Sequence, residues 1–93
     1  MVIDFKGKAL GVVAECIKAH ELTWPQAYMW YVLGYSRDAM GEKAHTVDTQ
    51  GYADLLGVSP RTIRHSLQVL QAKDLIEKVQ GGTFEAAAYR LRG

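Results

Sequence analysis

Arg61, Arg64, His65 and Gln68 are separated by three, one and three residues. On a helix that spacing gathers them on one side, because residues three and four apart are neighbours there. A guanidinium can bond guanine O6 and N7 through two parallel N–H groups, and a glutamine amide can do the same for adenine N6 and N7. The set is therefore suited to reading base edges in a duplex. Ser59, Pro60 and Thr62 begin the same segment, and hydroxyls beside the free N–H groups of a helix start suit phosphate. Thr49 and Gln50 open the preceding segment and are candidates for backbone contact. Further along, Lys78, Gln80, Thr83, Arg90 and Arg92 offer donors to phosphate or to a minor groove. Lys43 and His45 are weaker candidates outside these groups. A plain reading stands beside each of these: a solvated charge for Arg61 and Arg64, and the outer face of a strand for Arg90 and Arg92.

Other chemistries find no constellation. Cys16, His20, His45 and His65 lack the spacing of a metal site, and Cys16 and His20 fall on an apolar helical stripe. Gly81-Gly82 reads as a turn, not as a phosphate-cradling loop. No Ser/His/Asp set or carboxylate pair stands out, and a short chain has little room for a cleft. No catalytic residue, metal or cofactor is expected.

The elements that must position the candidate residues follow from periodicity and capping. Ala9, Val13, Cys16, Ile17 and His20 fall at helical spacing, which predicts a helix over about 7–20. Thr23-Trp24-Pro25-Gln26 fits a capping box with proline in the first turn, and predicts a helix from Trp24 to about Arg37. That helix is apolar nearly all round, so it is either central to the core or shared with a second chain. Its five large aromatics, Trp24, Tyr28, Trp30, Tyr31 and Tyr35, are the candidate dimer interface. Ala44–Val47 suits a short strand. Asp48 caps a helix over Thr49–Leu56, with Val47 and Tyr52 spaced as a hydrophobic staple. Gly57 ends it where a left-handed residue is wanted. Ser59 then caps a helix beginning at Pro60, with Val58 and Ile63 as its staple and Ile63, Leu67 and Leu70 as its buried stripe. Lys73-Asp74 closes it, and Asp tolerates a left-handed turn. A strand over Leu75–Val79, the Gly81-Gly82 turn and a return strand over Phe84–Arg92 complete a hairpin. In the return strand Ala87, Tyr89 and Leu91 alternate with Ala88, Arg90 and Arg92.

Composition sets the outer bounds. The chain has 93 residues, 48% hydrophobic and 23% charged, with net charge +1. That suits one domain, over residues 1–93, with a modest core. No apolar run nears the ~20 residues of a membrane span, and the first ten residues do not resemble a secretory signal. With one cysteine no internal disulfide can form, and a reducing cytoplasmic setting is the simple expectation. Charge is uneven: residues 1–58 hold five Lys/Arg and seven Asp/Glu, and residues 59–93 hold six and three. The basic excess coincides with the candidate base readers, although an imbalance of this size also arises by chance.

The stretch from Asp48 to Ile76 resembles the helix-turn-helix of winged-helix DNA-binding proteins. Ala53 matches the small residue at the helix crossing and Gly57 the turn glycine. Ile63 and Leu67 match the packing positions of the recognition helix, and Leu75-Ile76 the start of the wing. Asp74 stands where glycine is commoner. Together with Leu22–Arg37 the layout resembles the N-terminal domains of phage lambda-type O replication proteins, plasmid initiators and small phage or plasmid repressors. The resemblance implies an α+β winged helix-turn-helix of three to four helices with a C-terminal β-hairpin wing. The helix-turn-helix would span about 48–73 and the wing about 75–92. It implies sequence-specific binding of double-stranded DNA, with the helix over 60–73 in the major groove. A homodimer, and further replication or regulatory proteins, are the expected partners, with no membrane. The alternative is a winged helix used as a protein-interaction module without DNA binding, favoured by the near-neutral charge and the aromatic helix.

Overall fold

In a computed structural model the described residues are 8–81 and 87–92. Four helices and three strands follow in the order α1 (Ala9–His20), α2 (Trp24–Asp38), β1 (His45–Thr46), α3 (Thr49–Leu56), α4 (Pro60–Ala72), β2 (Ile76–Gln80) and β3 (Ala88–Leu91). The strands form one antiparallel sheet in the order β1-β3-β2. This is an α+β winged helix-turn-helix, as the residue pattern implies.

Local chemistry accounts for the boundaries. Gln26 Oε1 accepts from the Thr23 N–H at 3.0 Å, the return half of the expected capping box. Asp48 Oδ1 accepts from the Gly51 N–H at 3.1 Å and so caps α3. Gly51 is needed for that approach, since a Cβ there would sit 2.6 Å from the Asp48 carboxylate. Gly57 ends α3 at φ 70°, the left-handed region open to a residue without a Cβ. The Val58 N–H closes the turn on Ala53 O at 3.0 Å, the six-to-one bond of a Schellman motif. Ser59 Oγ accepts from the Thr62 N–H at 3.2 Å. Asp74 takes φ 59° between α4 and β2.

Helix α2 is central, packing on α1, α4 and β3. Val12, Val13, Cys16, Met29, Leu33, Ile63, Leu67, Leu70 and Ile76 form the heart of the core, with Val47 and Ala53 bringing in α3. At the far end of α4, Lys73 Nζ donates to His20 O at 2.9 Å, tying the last turns of α1 and α4 together. Burial pushes the Cys16 thiol up to about 11, and the neighbouring Glu15 charge adds to the effect.

The wing departs from simple alternation. Ala88 is buried as well as Tyr89. β3 is the middle strand, and Ala88 lies opposite Thr46 on β1 and Gln80 on β2; with a neighbouring strand on each side, a short methyl leaves little area open. The pairing of β2 with β3 shifts register between Lys78 and Gln80, leaving Val79 as the extra residue of a bulge. Among the described residues, no helix is long and apolar enough to cross a membrane. No group of three or more His, Cys, Asp or Glu there could hold a metal.

Candidate nucleic-acid interface

The two helices of the motif pack on each other, and Ala53 of α3 is fully buried. Only Gly57, Val58 and Ser59 connect them. Helix α4 buries Ile63, Ser66, Leu67 and Leu70. Ser66 was not legible as an inward residue. It is accommodated because its hydroxyl donates to Thr62 O at 2.8 Å, a bond one helical turn back. The opposite side of α4 carries Arg61, Arg64, His65 and Gln68, all exposed. The expected base-reading set thus lies together on the open face of one helix.

The partners of the cations separate them into two groups. The chain has five arginines. Arg37 bonds the Asp38 carboxylate. Arg90 bonds Glu77, and Arg92 Nη1 lies 3.7 Å from the same carboxylate. The register explains this, since Glu77 and Arg90 are directly opposite across the β2–β3 ladder. Arg61 and Arg64 show no ion pair or hydrogen bond among the described residues. Their charge is free to meet an anion, whereas that of Arg90 and Arg92 is already partly neutralised. Arg90 and Arg92 share a shallow groove with Arg37, Lys43, Glu42 and Glu77, so two carboxylates lie among its four cations.

The remaining candidates scatter around α4. Ser59 and Thr62 bond each other through their hydroxyls at 3.1 Å at the start of the helix, next to the half-buried Pro60. Thr49 is half-buried at the start of α3. Gln50 is exposed, but its amide donates to Asp54 Oδ1 at 2.8 Å. Lys78 is exposed on β2, and Gln80 ends that strand opposite Ala88. Thr83 lies outside the described residues.

His45 belongs to a network that residue spacing did not reveal. Its Nδ1 lies 3.2 Å from both Ser36 Oγ and Glu42 Oε2, and its Nε2 lies 2.9 Å from the Tyr52 hydroxyl. One ring therefore joins α2, the loop after it, β1 and α3. Burial raises the Tyr52 phenol above its ordinary range, with Tyr28, Asp48 and Glu42 adding to the shift. His45 thus has an internal role and is not placed as a free cation.

The aromatic residues of α2 also divide. Trp24, Tyr28, Tyr31 and Tyr35 form a continuous ladder, with successive ring centroids 5.8, 5.9 and 5.9 Å apart. Trp30 is separate: it is only 7% exposed and packs edge-on against His20 at 4.5 Å. It is a core residue, because it projects from the side of α2 that faces α1. Trp30 therefore drops out of the expected five-residue interface.

With this geometry in hand, comparison with known proteins bears on the motif itself. Residues 42–85 match the family model of the DeoR-like helix-turn-helix domain. The matched stretch takes in β1, α3, α4 and β2, the part that holds Arg61 and Arg64. The similarity supports a helix-turn-helix DNA-binding domain. No curated protein and no solved structure matches the chain.

Proposed function

We propose that the protein binds double-stranded DNA in a sequence-specific way and acts as a transcription regulator, with α4 as the recognition helix. The carrying observation is the contrast among the arginines. The two on the open face of α4 have no carboxylate partner among the described residues, while the other three are paired. A groove about 12 Å wide admits one helix, and the three-residue turn holds α4 against α3 with its polar side outward. Arg61, Arg64, His65 and Gln68 read base edges. Ser59, Thr62, Thr49 and Gln50 face the backbone, with Pro60 setting the helix start. Lys78 contacts phosphate or minor groove, with Gln80 and Thr83 as further candidates, and Arg90 and Arg92 contribute once drawn from Glu77. A replication-origin or partition role uses the same surface. The resemblance to lambda-type O proteins and plasmid initiators supports that reading, and the DeoR-like match favours regulation.

Selection from a random duplex library, followed by titration of the selected site across salt, tests the proposal. Affinity should fall steeply with salt as counterions are displaced. Arg61→Ala or Arg64→Ala should each cost about 1–3 kcal/mol on the selected site and relax selection at one position. Equal binding by both variants, or no duplex retained at low salt, would overturn the assignment.

A further inference from the structure

The aromatic ladder of α2 is symmetric. Trp24, Tyr28, Tyr31 and Tyr35 are spaced by four, three and four residues, centred between Met29 and Trp30. A two-fold axis through that midpoint lays the ladder on itself with the helices antiparallel. Trp24 then meets the partner's Tyr35, and Tyr28 meets the partner's Tyr31. Such self-complementarity is what an isologous interface requires.

We infer that this ridge is the contact between two copies of the chain, packed antiparallel through α2. Charge favours a second copy over other occupants. The open sector of α2 from Trp24 to Tyr35 comprises Trp24, Pro25, Tyr28, Tyr31, Val32 and Tyr35, and none of these is charged. A charged peptide or a phosphate backbone finds no counter-charge there, and an identical ridge brings no like charges together. The rings are open enough to be covered: Trp24 is 45% and Tyr35 38% exposed, and Met40 just beyond is 62% exposed. A fully buried aromatic hides about 150–250 Å². The open parts of four rings and of Met40 therefore give roughly 400 Å² per copy, about half of the ~800 Å² per partner of a standard interface. That area fits a reversible dimer that forms and separates with concentration. Helix α4 packs on α2, whose buried residues do not include Trp24, Tyr28, Tyr31 or Tyr35.

Sedimentation velocity without DNA tests this independently of the DNA-binding reading. The wild-type chain should shift from monomer to dimer as concentration rises through the micromolar range. Tyr28→Lys and Tyr31→Glu should each weaken the dimer at least tenfold while circular dichroism keeps its helical signal, because both rings are partly open. The two variants mixed should recover dimer as a heterodimer, since the antiparallel register sets the new ammonium against the new carboxylate. A monomer at every concentration would overturn the inference, as would a wild-type dimer that both variants leave intact. Separate weakening without recovery on mixing would overturn the antiparallel register. A monomer that dimerises only after residues 1–7 are removed would overturn it by assigning the ridge to the chain's own N-terminal segment.

Discussion

The His45 ring illustrates how much one side chain can join. Its Nδ1 serves Ser36 and Glu42, and its Nε2 serves Tyr52. Ser36 is almost fully buried, at 4% exposure, so removing the ring leaves a hydroxyl without its partner in a poorly hydrated place. Losing one side of a buried hydrogen bond costs about 1–3 kcal/mol. His45→Ala should lower urea-unfolding stability by that amount, and Tyr52→Phe by less, since it removes only one of the contacts. The ion pairs of Arg90 and Arg92 with Glu77 are partly exposed, and such pairs are worth about 0–1 kcal/mol. Their importance is to hold charge in place, not to hold the fold. At this scale the residue pattern was least informative. Helical spacing put Arg61 and Arg64 on one face, but what pairs with Glu77 depends on strand register, and what meets His45 depends on four elements converging.

At the scale of elements the residue pattern was far more telling, because caps are local. Asp48, Gly57, Ser59, Pro60 and Asp74 act through bonds and dihedrals within a few residues, so α3 and α4 begin and end where expected. Ser59→Ala removes the acceptor for the Thr62 N–H and should destabilise the domain by about 1 kcal/mol, read as a lower thermal midpoint. Helix α2 was harder to orient. With apolar residues nearly all round it, periodicity could not say which aromatics turn inward. Contact with α1 decides that Trp30 does and that Trp24 and Tyr35 do not. The return strand was misjudged in part for a similar reason. Ala88 looks like an outward position in a two-stranded hairpin, and becomes covered once β1 makes β3 the middle strand.

For the whole molecule, the buried acids set a limit at high pH. The folded chain holds the Cys16 thiol protonated up to about 11, against 9.0 for an ordinary thiol. Burial likewise raises the Tyr31, Tyr52 and Tyr89 phenols above 10.0. The unfolded chain releases these protons first, so it binds fewer protons in this range and stability falls as pH rises. The thermal midpoint should be flat with respect to these groups below pH 9 and drop by about 5 °C or more towards pH 11, with Cys16→Ser flattening the first part of that decline. Cohesion is also uneven in time. Helices α3 and α4 are joined through three residues and need no distant partner to meet. β1 has two residues, and it joins the sheet by pairing His45 with Tyr89 and Thr46 with Ala88, far along the chain. Closing a loop that long must precede any gain from pairing. The turn that presents α4 should therefore form before the seam between β1 and β3, an order that pulsed amide exchange during refolding would read. The wing is anchored on α2 and α4 as well as on β1, so loss of the β1 pairing alone should leave α4 in place.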